Sequence, residues 1–82
     1  MSSDERVLLL VREGCHLCVD ALRVVSEVCA ELGVPWRDVD IDSDPDLRSA
    51  YTDHVPVTFV DGTEHARWFV DPARLRAALV RQ

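Results

Sequence analysis

Apolar residues arrive along this chain in two rhythms, and the switches between them lay out its elements. Val7-Leu8-Leu9-Leu10-Val11 is a short, wholly apolar run, as expected of a strand covered on both faces. Arg12-Glu13-Gly14 interrupts it. From Cys15 or His16 to Leu32 the rhythm changes: Leu17, Ala21, Val24, Val25, Val28 and Leu32 recur at spacings of three and four, which predicts an amphipathic helix. Gly33 stands where the left-handed residue after a helix belongs, and Pro35 lies just beyond it. Trp36 to Ile41 then sets Trp36, Asp38 and Asp40 against Arg37, Val39 and Ile41, the alternation of a second strand.

The second half repeats the sequence of strand and helix on a smaller scale. Ser43-Asp44-Pro45-Asp46 combines a capping residue, a proline suited to a first turn and an acid at the positive end of a helix. The helix it opens is short, running through Leu47 to about Tyr51. Val57 to Val60 predicts a third strand, Asp61-Gly62 a two-residue hairpin turn, and Glu64 to Val70 the returning strand. Asp71-Pro72 opens a last helix whose inward stripe is Leu75, Ala78 and Leu79. The order is β-α-β-α-β-β-α. A helical connection between the first two strands requires a crossover, so they should be parallel, and the final hairpin adds an antiparallel pair. The expected class is α/β: one domain over residues 1–82, a four-stranded mixed sheet flanked by three helices.

Composition narrows the possible functions. Eighty-two residues leave room for one core, and 48% hydrophobic content argues against disorder. The net charge is -6, and all nine basic residues are Arg, which we ascribe to coding bias. An acidic chain repels phosphate backbones, so no nucleic acid partner is expected. Met1 to Arg6 is polar, and Val7 to Val11 is too short for a signal-peptide core or a membrane span. The chain is therefore expected in the cytoplasm, off the membrane. Three cysteines are a poor match to a structural disulfide framework. In a reducing compartment a close pair points to redox chemistry or metal binding.

Cys15-His16-Leu17-Cys18 is the pair in question. It falls at the junction of a buried strand and a helix, which puts two sulfurs within bridging reach and the first at the helix's positive end. No Ser, Thr or Asp precedes this helix as a cap, so Cys15 is left to accept the orphan backbone N–H groups, which favours its thiolate. Arg12 and His16 supply positive charge, while Glu13 and Asp20 oppose them. Cys18, one turn inside, should stay protonated to higher pH. Cys15 would attack a disulfide and Cys18 resolve the mixed disulfide. The metal reading is weaker: structural zinc takes four ligands, and His16, His54 and His65 are dispersed. The acids Asp38, Asp40, Asp42, Asp44 and Asp46 lack both the glycine and the closing Glu of a calcium loop, and a solvated strand edge followed by a helix cap explains them. Cys29 is expected in the core. Trp36, Trp68 and Phe69 are expected as core or edge aromatics, with a flank of the substrate groove as the second reading of Trp68.

The chain resembles the glutaredoxins, small thioredoxin-fold proteins, over nearly its whole length. The resemblance rests on Arg12-Glu13-Gly14-Cys15-His16-Leu17-Cys18 between strand and helix, on His54-Val55-Pro56 before the third strand, and on Asp61-Gly62 between the last two strands. It implies a minimal thioredoxin fold in which Pro56 is cis and packs against the active-site sulfurs. It further implies that the backbone of Val55 pairs with the bound thiol peptide. Only proline makes a cis bond accessible, at ~0.5–1 kcal/mol. Arg12, His16, Val55 and Pro56 are thus the expected substrate-binding residues around catalytic Cys15 and Cys18. Two features differ from the family pattern: Trp68-Phe69-Val70-Asp71-Pro72 replaces its Gly-Gly and following acids, and Leu10 replaces its aromatic residue. In both respects the chain looks more like the divergent bacterial glutaredoxin-like proteins.

The resemblance implies a monomeric dithiol–disulfide oxidoreductase with no bound cofactor and no metal. Electrons would come from glutathione, another low-molecular-weight thiol or a reductase, and the substrate would be a protein or small-molecule disulfide. Two alternatives from another class stay open, a non-catalytic binding module and a protein holding an iron–sulfur cluster between subunits.

Overall fold

The apolar run at the start becomes β1 (Val7–Val11), a strand flanked on both sides by others and covered by helix on both faces. Val7, Leu9 and Val11 face one way, against helices α1 (His16–Leu32) and α3 (Pro72–Val80). Leu8 and Leu10 face the other way, toward Leu47 and Tyr51 of the short helix α2 (Pro45–Tyr51). The computed structural model in which these contacts are seen describes residues 5–80; Met1 to Asp4, read above as a polar leader to β1, lie outside the described residues.

The remaining strands are β2 (Trp36–Asp40), β3 (Val57–Val60) and β4 (Thr63–Arg67), and the sheet order is β2-β1-β3-β4. β1 pairs parallel with β2, as the crossover argument requires, and antiparallel with β3 on its other side. The fold is therefore the α/β thioredoxin-like architecture expected from the order of elements.

Two boundaries differ from the sequence reading. β2 ends at Asp40, because Ile41 turns inward to full burial and begins a 3₁₀ turn (Ile41–Ser43), with the Asp40 carboxylate accepting the Asp42 N–H at 2.9 Å. β4 ends at Arg67 and does not reach Val70, because Trp68 takes φ 71°, a left-handed conformation that breaks the ladder. The hairpin turn is as expected: Asp61 and Gly62 both have positive φ, 51° and 85°, the arrangement of a type I′ turn. Arg6 ties this turn to the end of α3, donating to both Asp61 carboxylate oxygens (3.0 and 2.9 Å) and to the Leu79 carbonyl (3.0 Å).

Thr58 is fully buried in β3, and its hydroxyl is the one buried side-chain polar atom without a hydrogen-bond partner among the described residues. Replacing it with an isosteric methyl removes a desolvated donor without opening space. Thr58→Val is expected to stabilise the fold by about 1 kcal/mol, some 4–8 °C in a domain of this size. Thermal melts would check this, and a lower midpoint would contradict it.

His65 on β4 is half-buried, and burial, followed by the charge of Arg74, lowers its pKa. The folded state thus prefers the neutral ring. This contribution is complete above the unfolded value of about 6.5 and is lost as pH falls through the lower folded value. The melting midpoint should drop on acidification from pH 7 to 5, and less so in His65→Gln.

Candidate active site

The loop between β1 and α1 is built by three short-range constraints. Gly14 takes φ 80°, turning the chain back sharply after Arg12-Glu13. The Cys15 N–H donates to the Arg12 carbonyl at 3.3 Å, closing that turn. Cys15 itself is the residue capping α1, with extended backbone (φ -94°, ψ 113°) and its Sγ accepting the Cys18 N–H at 3.2 Å. A sulfur so placed receives a backbone donor at the positive end of a 17-residue helix. It is half-exposed, whereas Cys18 is only 2% exposed. Both are reduced.

The two thiols are therefore in different environments. Burial pushes the pKa of Cys18 up to about 12; its hydrogen bond to Cys15 and the negative charges of Cys15 and Asp40 add to the rise, and the Arg12 backbone opposes it. Cys29 sits lower on α1, 1% exposed among core valines, and burial raises its pKa as well. Cys18, and not Leu17, heads the buried stripe of the helix.

A cleft of about 560 Å³ opens on this loop, lined in part by Arg12, Cys15, His16 and Cys18. Four of the residues singled out from sequence thus share one surface. Val55 and Pro56 stand beside it. The register that pairs Leu10 with Val57 places Pro56 opposite Val11 as β3 begins, and the Val55–Pro56 bond is cis. Pro56 is buried, and among the described residues the Val55 backbone takes part in no hydrogen bond.

Arg12 is in the cleft, but its charge is already engaged. Its Nε donates to Asp42 at 2.9 Å and its Nη1 to the Thr52 carbonyl at 3.3 Å. The guanidinium braces the loop against the 3₁₀ turn and the end of α2, and Asp42 offsets its charge. His16 is exposed on the first turn.

The sequence reading missed the part played by β2. Asp38 and Asp40, taken there as a solvated strand edge, line the cleft with the sulfurs. The parallel pairing of Val11 with Asp40 is what brings them there, since parallel strands deliver their carboxyl ends to one edge of the sheet. Trp68, read as an edge aromatic or a flank of the groove, braces the cis-proline loop: its N–H donates to the Pro56 carbonyl at 2.6 Å and its Nε1 to the Asp53 carbonyl at 3.4 Å. Its ring lies 6.3 Å from that of His54. No group of three or more His, Cys, Asp or Glu among the described residues is arranged to hold a metal ion. No helix among them is long and apolar enough to cross a membrane.

Comparison with known proteins agrees with this fold. Residues 6–80 match the family model described as a glutaredoxin-like domain (DUF836). An uncharacterized protein of Mycobacterium tuberculosis is 39% identical over 84 aligned positions, covering 96% of this chain and 87% of that one. Among solved structures, the X-ray structure of target protein XcR50 from X. campestris superposes with a TM-score of 0.72 at 36% identity, covering 89% of this chain and 93% of that one. The solution structure of Ne2328 from Nitrosomonas europaea gives 0.71 at 26% identity, with 94% and 93% covered. Fasciola hepatica thioredoxin, at 20% identity and a TM-score of 0.60 over 93% of this chain and 81% of its own, shares the fold.

Proposed function

Because this chain belongs to the glutaredoxin-like domain family, we propose that it is a dithiol–disulfide exchanger in which Cys15 attacks and Cys18 resolves. One observation carries the reading: a half-exposed sulfur caps the helix and accepts a backbone N–H at 3.2 Å, with a second, buried sulfur one turn behind it. The Cys15 thiolate attacks one sulfur of a substrate disulfide. A Cys15–substrate bond forms, and the other half leaves as a thiolate and takes up a proton. Cys18, on losing its proton, attacks Cys15, releases the second substrate thiol and closes the Cys15–Cys18 bond. The protein pair has lost two electrons and the substrate has gained them.

A low-molecular-weight thiol or a reductase returns these electrons. The cis-Pro56 loop and the Val55 backbone would align an incoming chain beside Cys15, with His16 and Arg12 at the rim. We place the activity in the cytoplasm, carried by a monomer without bound cofactor.

The direct test is stoichiometric. Reduced protein mixed with excess bis(2-hydroxyethyl) disulfide should consume one disulfide per chain and lose the mass of two hydrogens, with peptide mapping locating the bond at Cys15–Cys18. A protein that stays reduced would refute the proposal.

A further inference from the structure

The cleft over the sulfurs is asymmetric in charge. Glu13, Asp38 and Asp40 line it, contributed by the loop and by the neighbouring strand. The one arginine on its wall, Arg12, is tied to Asp42 and to the Thr52 carbonyl, so the pair adds no net positive charge. Asp40 is close enough to Cys18 for its charge to act on that thiol. Two other arginines of neighbouring elements are also engaged, Arg37 of β2 by Glu5 and Arg23 of α1 by Glu27. His16, exposed on the first turn, is the other basic side chain of the lining, and even as a cation it offsets one of the three carboxylates. The half-exposed Cys15 sulfur therefore opens into a space whose net charge is negative.

We propose that this cleft makes the protein selective for disulfides bearing positive charge next to the sulfur, whether amine-bearing small molecules or peptides with a flanking Arg or Lys. Disulfides of net negative charge, glutathione disulfide included, are poor substrates. The inference rests on the reading of Cys15 as the attacking sulfur and specifies what it attacks. The step is unchanged: the Cys15–substrate bond forms, the substrate S–S bond breaks, and the leaving half departs as a thiolate with the electron pair. Carboxylates on the wall of the cleft that the entering group must occupy favour a cation and oppose an anion. At low salt their combined effect is expected to separate the two by about tenfold or more.

The experiment reads the attack step alone, in a Cys18→Ser background, by quenched mass spectrometry of the mixed disulfide. Cystamine, bis(2-hydroxyethyl) disulfide, dithiodiglycolate and glutathione disulfide are compared, together with a peptide disulfide flanked by Arg. Dividing each rate by that of the neutral reagent cancels any change in Cys15 itself. The expected order is cationic, neutral, anionic, with about tenfold between the extremes that shrinks in 0.5 M salt. Neutralising the wall with Glu13→Gln, Asp38→Asn and Asp40→Asn together should compress the spread to about threefold or less. Asn at position 40 keeps an oxygen to accept the Asp42 N–H that Asp40 now binds. Should the triple variant fail to fold, Glu13→Gln and Asp38→Asn apart, with the salt dependence of the unaltered wall, decide the matter.

Cystamine reacting preferentially without the Arg-flanked peptide would point to a small-molecule substrate, and the reverse to a protein. A spread that persists after the carboxylates are removed, or an anionic reagent that reacts fastest, overturns the inference and leaves the exchange reaction standing. Failure of the neutral reagent to react sinks the exchange reaction itself.

Discussion

Cys15→Ser is expected to reduce disulfide exchange to the rate of buffer alone, while Cys18→Ser should accumulate a covalent adduct with the substrate. The two outcomes differ because the two sulfurs differ in access. Cys15 is half-exposed and opens to the cleft; Cys18 is 2% exposed and lies behind it. A substrate disulfide reaches the first and not the second, so loss of Cys15 removes the only accessible attacker of the pair. Loss of Cys18 leaves the attack intact and removes the exit. The Ser side chain at 18 is close in size to Cys, and the N–H that donates to Cys15 belongs to the backbone, so the cap survives the substitution. Cys29→Ser should leave exchange in place, because that thiol is 1% exposed in the core layer between the sheet and helices α1 and α3. Single-turnover assays with mass detection would separate the three. Full exchange activity in Cys15→Ser would reverse the assignment of roles.

Most of this site was legible in the chain because its key relations are local. A strand, a three-residue break, a Cys-x-x-Cys and a helical stripe all fall within the 26 residues from Val7 to Leu32, and short-range rules cover them. The capping role of Cys15 followed from the lack of any better cap, and the structure has its sulfur accepting the Cys18 N–H. Relations between distant segments were harder. Arg12 was expected to lend its charge to the sulfur, yet a residue 30 positions away, Asp42, engages the guanidinium. Nothing in the local pattern announces that partner; only the parallel register of β1 with β2 does. The same register turns the acidic alternation of β2 from a solvated edge into a wall of the cleft. β4 was overextended for a related reason. Trp68-Phe69-Val70 has strand-like composition, but the Trp68 N–H is taken by Pro56, and the left-handed turn at Trp68 sends the chain away from the sheet. Propensity lost there to a contact that the sequence does not display.

The second large effect expected is in the rate at which the mixed disulfide resolves, which should climb about tenfold for each pH unit from 6 to 8 and so about a hundredfold in all, because only the Cys18 thiolate can attack. In the reduced protein five influences act on this thiol. Burial, the hydrogen bond to Cys15 and the charges of Cys15 and Asp40 raise its pKa to about 12, against the opposing Arg12 backbone. Once Cys15 is joined to substrate it carries no charge and no longer holds the Cys18 proton, so two of the raising influences vanish. Burial and Asp40 remain, and they keep the group protonated through neutral pH. The thiolate fraction then stays small and proportional to hydroxide over the whole interval. Asp40→Asn should accelerate resolution at pH 7 by removing one of the two, while leaving the slope intact below the thiol's new midpoint. Quenched-flow measurement of the adduct's decay between pH 6 and 8 checks both statements. A rate that is flat across this interval would mean that Cys18 already reacts as the anion, and that its burial does not govern the step.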